Sequence, residues 1–334
     1  MKVVLFGGSG FIGTHLVPQL IALGHDVSIA DIAPSKSYPR LFSRCDVRDA
    51  GAVHETCAGA DVIYNLAAVH RDDVRPRSLY REVNVDGAAN ICAAASAHRI
   101  DRIVFTSSVA IYGFSAGEAD EDTEPAPFND YGKTKLEAEA VFKGWYHAQP
   151  GRTLTIVRPT VVFGEGNRGN VFTLIDQIRR RRFAMVGCGD NIKSIAYVEN
   201  VAAFLQHVLS RPPGFDVYNY VDKPDYRTRD LVSTIRRQLG MSGEPASIPY
   251  PLASGIGAVC DAVAAVSGRT LPISRIRVQK FCAPSRFSSA RAMASGFVAP
   301  VSLEDGLRRT VAEEAGHPAV AAAKTGGALG RGCT

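Results

Sequence analysis

Tyr131 and Lys135 stand four residues apart in Tyr131-Gly132-Lys133-Thr134-Lys135, one turn apart on the same face of a predicted helix. An ammonium close to a phenol favours the phenolate and lowers a pKa that starts near ~10, which suits the tyrosine to take a proton near neutral pH. A surface helix carries the same spacing by chance, so the pair gains meaning only from its neighbours. Upstream, the apolar run Arg102–Thr106 leads into Ser107-Ser108-Val109-Ala110-Ile111-Tyr112-Gly113. Hydroxyls then sit at the carboxyl end of a predicted parallel strand, where open α/β sheets bind their ligands. Ser108 is placed to hydrogen-bond the same substrate hydroxyl as Tyr131.

A second constellation opens the chain. Gly7-Gly8-Ser9-Gly10-Phe11-Ile12-Gly13 directly follows a predicted strand and begins a predicted helix, with glycines at 7, 10 and 13. Glycine is needed there because the turn is tight, backbone must approach a pyrophosphate, and the helix must pack close to the strand. The pyrophosphate then meets free N–H groups and the positive end of the helix dipole. Asp31 ends the next predicted strand at about the spacing, ~20 residues, expected of an acid that binds ribose hydroxyls. Its carboxylate repels a 2′-phosphate, so NAD is favoured over NADP.

Around these residues, short apolar runs alternate with amphipathic stretches, the pattern of βαβ units and a parallel sheet. The strands are read at Val3–Phe6, Asp26–Ala30, Asp61–Leu66, Arg102–Thr106 and Thr153–Val157, and the helices at Ile12–Leu23, Asp49–Ala58, Leu79–His98 and Tyr131–His147. Gly24 suits the end of the first helix. The expected fold is α/β, a Rossmann-type doubly wound sheet over 1–163 with some later segments returning to it. A smaller α/β substrate domain is expected over 164–318, and a weakly ordered, Ala- and Gly-rich tail over 319–334.

The 334 residues are 46% hydrophobic and 21% charged, which excludes a disordered, collagen-like or disulfide-scaffold chain. Net charge is +5, and no zinc-finger or RNA-binding signature accompanies it, so nucleic acid is not an expected partner. Seven cysteines (45, 57, 92, 188, 260, 282 and 333) form no Cys-x-x-Cys and read as reduced thiols of a cytoplasmic protein. The apolar start is too short for a signal peptide. No cluster has metal-ligand spacing, so no metal is expected.

Taken together, these residues resemble the extended short-chain dehydrogenase/reductase family, in particular its NAD-dependent sugar epimerases and dehydratases. The resemblance covers about residues 1–310. It rests on GGSGFIG (7–13), Asp31, CDV (45–47), NLAA (65–68), NVDG (84–87), TSSVAIYG (106–113), YGKTK (131–135) and VRPTVVFG (157–164). It implies catalytic roles for Ser108, Tyr131 and Lys135. It also implies cofactor contacts from Gly7, Gly10, Phe11, Ile12, Gly13, Asp31, Leu66, Ala67, Ala68 and Ser107, and from Tyr131 and Lys135 themselves. Adenine contacts are implied at Asp46 and Val47, a buried Asn84 beside the cofactor, and nicotinamide packing near Pro159 and Val161. Dehydratases of the family carry Asp-Glu directly after the catalytic hydroxyl residue, and decarboxylating relatives a Glu two residues after it. Here those places are Val109 and Ala110, which move no protons, so 4-epimerisation or ketone reduction is expected.

Several further stretches are similar to the bacterial subgroup acting on N-acetylglucosamine diphospho-undecaprenol, the lipid-linked start of O-antigen repeats. They include 67–87, 127–135, 164–172, 192–205, 217–225, 248–252 and 274–283. The resemblance implies an isomerase for a lipid-linked 2-acetamido sugar at the inner face of the plasma membrane, with peripheral membrane association and a homodimer as open expectations. Asn170, Lys193, Arg275 and Arg277 are the candidates for the substrate diphosphate. Three other readings stay open: a soluble UDP-sugar 4-epimerase, an NAD(P)-dependent nucleotide-sugar reductase, and a non-catalytic NAD-binding module. Leu252, Ile256, Val259 and Val263 recur at helical spacing, which fits either a helix lying in a bilayer interface or one packed on the substrate domain. The run Arg179–Arg182 fits a solvated helix end or an attraction to anionic lipid.

Overall fold

Strict alternation along Lys2–Phe6 (β1) sends Val3 and Leu5 into one apolar cluster and Val4 and Phe6 into another, so this strand is covered on both faces. The computed structural model describes residues 1–71, 74–114, 117–267 and 274–316. The expected tail at 319–334 lies outside the described residues. The strands β2 (Asp26–Asp31), β3 (Phe42–Arg44), β4 (Val62–Asn65), β5 (Arg102–Thr106), β6 (Thr153–Pro159), β7 (Val161–Phe163), β8 (Ala184–Val186), β9 (Ile192–Tyr197), β10 (Phe215–Tyr220), β11 (Asp222–Arg227) and β12 (Ala246–Ile248) follow. Seven form one parallel sheet in the order β10-β6-β5-β4-β1-β2-β3. The order reverses between β1 and β4, which opens a crevice at their carboxyl ends. Two small sheets have the orders β11-β9-β7 and β12-β8.

The chain divides into two units. The first is assembled from Met1–Val162, Ile195–Asp222 and Phe287–Val301. Its helices are α1 (Phe11–Ala22), α2 (Ala50–Thr56), α3 (Ser78–Arg81), α4 (Gly87–Ala97), α5 (Asp130–His147), α7 (Val198–His207) and α11 (Ala290–Ala294). One cluster joins Leu16, Val17 and Leu20 of α1 with Val201, Phe204 and Leu205 of α7 and with Val3, Leu5, Ile29 and Tyr64 of the sheet. The Tyr64 hydroxyl donates to the Leu205 carbonyl at 2.8 Å. The opposite cluster joins Ile91 of α4 and Phe142 and Trp145 of α5 with Phe6, Ile63, Phe105 and Ile156. The single helix expected over Leu79–His98 is instead α3, a π-helical turn at Glu82–Asp86, and α4. The wider turn carries Asn84, whose inward side chain holds two other segments.

The second unit comprises Phe163–Ser194, Lys223–Arg286 and Ser302–Thr334. Its helices are α6 (Asn170–Arg179), α8 (Thr228–Gln238), α9 (Tyr250–Ser267), α10 (Arg275–Cys282) and α12 (Leu303–Glu314). The arginine run closes α6 as a solvated helix end, with Arg179 and Arg180 each 2.8 Å from Asp176 one turn back. Among the described residues no helix is long and apolar enough to cross a membrane.

Candidate active site

Asn129 sets where α5 starts. Its side-chain oxygen accepts from the Gly132 N–H at 2.9 Å, which caps the helix and places Tyr131 in the first turn. The same turn runs hard against the segment after β5: a Cβ on Gly132 would lie 2.5 Å from the Ala110 carbonyl oxygen. That approach brings the Tyr131 phenol into a hydrogen bond with Ser108. Ser108 is itself extended, and its Oγ accepts from the Ala110 N–H at 3.1 Å.

One turn along α5, Lys135 is buried and its Nζ donates to the Thr106 carbonyl at 2.7 Å, 4.6 Å from the Phe105 ring centre. Burial holds its amine down to about 7, against an upward pull from the Glu139 carboxylate. Removal from water pushes the Tyr131 phenol above its usual range, and the Ser108 hydrogen bond offsets only part of this. The expected lowering of the tyrosine by Lys135 is therefore not found. The amine meant to supply the charge is itself desolvated and donates to the Thr106 carbonyl at the end of β5.

The glycine loop sits at the sheet's switch point. Gly7 has φ +76°, and a Cβ there would fall 2.5 Å from the Ala67 nitrogen, while one on Gly13 would fall 2.4 Å from the Gly8 oxygen. Asp31 is fixed by two backbone N–H groups at 3.1 Å, Ser9 to Oδ2 and Ala33 to Oδ1. Phe11, Ile12 and Gly13 open α1, and Gly10 precedes it as the cap residue. Leu66, Ala67 and Ala68 follow β4, half-buried, with Leu66 N–H on the Phe6 carbonyl and Ala67 N–H on the Asn65 side chain. Around these ends the hydroxyl oxygens of Ser9, Thr106 and Ser107 are buried without a hydrogen-bond partner. Buried polar atoms left this way cost free energy until a ligand meets them. A cradle without side chains, a fixed carboxylate and orphaned hydroxyls fit a dinucleotide.

The family profile described as NAD dependent epimerase/dehydratase matches residues 3–220. The chain belongs to that family. Among curated proteins, an N-acetyl-α-D-glucosaminyl-diphospho-ditrans,octacis-undecaprenol 4-epimerase of Escherichia coli O157:H7 is 44% identical over 318 residues, 95% of this chain and 96% of that protein. A 2-alkyl-3-oxoalkanoate reductase of Stenotrophomonas maltophilia is 30% identical over 94% of this chain and all of its own length. Among solved structures, a UDP-glucose 4-epimerase of Thermotoga maritima superposes with a TM-score of 0.75 at 22% identity, covering 93% of this chain and 97% of its own. One of Thermus thermophilus, solved with NAD, gives 0.72 at 23% identity, covering 93% and 98%. These structures share the doubly wound fold expected from the sequence.

Within this epimerase/dehydratase frame, the other expected cofactor residues divide. Ser107 is buried at the end of β5 with its N–H on the Val157 carbonyl. Pro159 ends β6, and Val161 begins β7 with 38% of its surface exposed. Asp46 is engaged by Arg48, which grips both carboxylate oxygens at 2.6–3.0 Å and holds the carboxyl below its usual range. Val47 is buried against Gly87. Asn84 spends its side chain on the protein: Oδ1 accepts from the Val69 N–H at 2.8 Å, and Nδ2 donates to the Val69 carbonyl and to Thr134 Oγ1. It joins the segment after β4 to α5, so its reach to a cofactor is through what it positions.

Of the diphosphate candidates, Asn170 is the first residue of α6, and Arg275 and Arg277 lie exposed in the first turn of α10. Lys193 departs from its expected role. Its amine donates to the carbonyls of Lys280 (3.0 Å) and Ala283 (2.7 Å), tying down the end of α10, and burial lowers it to about 8.

The sequence reading missed a buried polar network behind Lys135. Glu139, fully buried one turn further along α5, pairs with both Nε and a terminal nitrogen of Arg158 at 2.8 and 2.7 Å. Arg158 also donates to the Tyr112 hydroxyl at 2.7 Å, which donates to Asn219 at 2.9 Å. The available signal was the spacing: Tyr131, Lys135 and Glu139 share one helix face.

Proposed function

We propose that the chain is an NAD-dependent 4-epimerase that interconverts N-acetylglucosamine and N-acetylgalactosamine carried on a polyprenyl diphosphate. The observation that carries this is the 44% identity to the Escherichia coli O157:H7 4-epimerase, spread over 95% of the chain and so over both units. The glycine loop, Asp31, Leu66–Ala68 and the Ser107 hydroxyl hold the cofactor, and Asp31 disfavours a 2′-phosphate. When bound, NAD⁺ supplies the acceptor that removes hydride from C4 of the sugar and returns it.

Tyr131 takes the proton of the 4-hydroxyl as C4 is oxidised to the ketone. Ser108, hydrogen-bonded to Tyr131, orients the sugar oxygen and steadies its developing charge. Lys135, one turn along α5, favours the phenolate whenever its amine carries the charge, which burial opposes and the Glu139 carboxylate favours. After the 4-keto sugar presents its other face, Tyr131 returns the same proton to O4. The cycle closes with no net redox change and no added reductant. Val109 and Ala110 offer no group to carry a second proton, which sets dehydration and decarboxylation aside. The diphosphate falls to Asn170, Arg275 and Arg277, with Lys193 supporting α10.

A lipid-linked substrate would bring the enzyme to the inner face of the plasma membrane. The deciding experiment offers the purified chain with NAD⁺ either N-acetylglucosamine diphospho-undecaprenol in detergent or UDP-N-acetylglucosamine, and identifies the released sugar by chromatography. Galacto product in the lipid arm alone supports the reading. Product in the nucleotide arm alone replaces it with the UDP-sugar epimerase. No product in either arm, with NADH consumed on a ketone, replaces it with the reductase.

A further inference from the structure

Ser108 and Tyr131 come from different elements, so their separation depends on what ties those elements together. Ser108 leads the short 3-10 turn Val109–Tyr112, a geometry with little rigidity of its own. The backbone bonds that close it are long, Ile111 N–H to the Ser108 carbonyl at 3.3 Å and Gly113 N–H to the Ala110 carbonyl at 3.4 Å. From outside, the Ala126 N–H reaches the Ile111 carbonyl at 2.9 Å, but Ala126 belongs to the loop before α5 and not to the helix. Val109, Ile111 and Tyr112 are buried in a small apolar cluster flanked by Leu136 of α5. Apolar burial holds the turn down without giving it a direction. Of these three side chains, only Tyr112 carries a polar atom that can.

Arg158 supplies the tie. It stands on β6 beside Asn219 of β10. Its Nε and one terminal nitrogen grip the two carboxylate oxygens of Glu139 on α5, and its other terminal nitrogen donates to the Tyr112 hydroxyl at 2.7 Å. Tyr112 donates in turn to Asn219 Oδ1 at 2.9 Å, which fixes the phenol from a second side. Tyr131, Lys135 and Glu139 share one face of α5. One side of the rigid guanidinium fork therefore holds the catalytic face of the helix, and the other holds the turn that Ser108 leads. All of these residues belong to the first unit.

Stability does not ask for this arrangement. Apolar residues of similar volume serve a core as well as a buried ion pair, and often better. The network also leaves Asn219 Nδ2 buried without a hydrogen-bond partner, which costs free energy. What apolar packing cannot supply is bonds of set length and angle between two segments. The chemistry needs that precision, because Ser108 and Tyr131 must both come within hydrogen-bond reach of one substrate hydroxyl.

We propose that Arg158 and Tyr112 are positioning residues of the active site, a buried bridge from α5 to the Ser108 turn that keeps Ser108 within hydrogen-bonding distance of Tyr131. The proposal rests on the 4-epimerase reading for its rate measurement and on geometry alone for its spectroscopic one. Tyr112→Phe keeps the ring, removes the hydroxyl and changes no charge. Turnover should fall about tenfold in kcat, short of the roughly hundredfold that a misplacement of about 1 Å can cost, while KM and NAD affinity stay within about twofold of wild type. In an S108A background, Y112F should cost nothing further, because the residue it places is already gone.

The second readout needs no substrate. With tyrosine isotopically labelled at Cζ, the Tyr131 signal, assigned by its absence in Y131F, should move in Y112F from its wild-type position towards that of S108A. R158K keeps a charge beside Glu139 but lacks the fork, and should repeat both effects if Y112F does not fold. A kcat within about twofold of wild type, an equal fall in the S108A background, or a Tyr131 signal that does not move overturns the proposal. A loss confined to KM or NAD affinity overturns it as well. A wild type that turns over neither the lipid-linked nor the nucleotide sugar removes the proposed function, and the Tyr131 signal then decides the bridge by itself.

Discussion

Replacing Glu139 with glutamine strips the charge from one half of a pair whose side chains are 0% and 4% exposed. Arg158 would keep its place in the apolar interior with one carboxylate fewer to face. Breaking a buried pair from one side costs about 3–5 kcal/mol, because the remaining charge is left uncompensated. Glutamine fills the same volume and still offers one acceptor to the guanidinium, which argues for the low end, about 3 kcal/mol. For a unit of roughly 200 residues each kcal/mol moves the melting temperature by about 2–4 °C, so a fall of about 6–12 °C is expected. Differential scanning calorimetry of the full chain reads it, and E139Q/R158Q should recover part of the loss because no lone charge remains. The substitution also has a catalytic signature. Glu139 holds the Lys135 amine up against burial, so its removal lets Lys135 titrate below about 7 and moves the alkaline limb of the pH–rate profile to lower pH. A melting temperature within about 2 °C of wild type would refute the energetic argument, at ~2–4 °C per kcal/mol. An unmoved limb would refute the electrostatic one.

Three further outcomes follow from the same geometry. Tyr131→Phe should abolish turnover while NAD binding, read by fluorescence titration, persists; near-normal turnover would remove Tyr131 as the base. Lys135→Met should be inactive yet more stable at neutral pH. A lysine held at about 7 in the fold costs stability while it is protonated, fully below about 7 and not at all above its unfolded value, so the variant's advantage in denaturant melts should shrink as pH rises from 7 towards 10.5. Gly13→Ala should lose NAD affinity by more than about tenfold, because its Cβ would meet the Gly8 backbone and reshape the loop; unaltered affinity in the same titration would show that the loop can give.

The parts of the site that local chemistry dictates were legible from residue types. Gly7, Gly10 and Gly13 are glycine because backbone must come close, and Asp31 ends a strand whose alternation is plain. Tyr131 and Lys135 declare themselves by helical spacing, and the observed β5 spans the expected residues Arg102–Thr106. What stayed hidden depends on tertiary partners. The π-helical turn at Glu82–Asp86 exists because Asn84 must reach Val69 and Thr134, residues distant in sequence. The upward shift of Tyr131 and the low Lys135 come from desolvation, which no spacing reveals. Lys193 looked like a phosphate ligand because it is a cation near substrate-facing motifs, whereas its amine is committed to two carbonyls of the second unit. The stripe on α9 was visible as periodicity, but which side of the helix meets water was not.

The first unit is stitched from three separated stretches of chain, and this bears on how the protein can be made. One face of its sheet is covered by α1 together with α7, and β10 extends the edge beyond β6, so residues beyond 194 complete what residues 1–162 begin. A nascent chain leaving the ribosome with only its first half would present Val3, Leu5, Leu16 and Leu20 without their later partners. Such a chain cannot finish folding its first unit in the order of its synthesis. For the same reason the dinucleotide-binding half is not a transferable cassette. Cutting after residue 162 would yield a fragment whose sheet lacks β10 at its edge and α7 over the face that α1 covers.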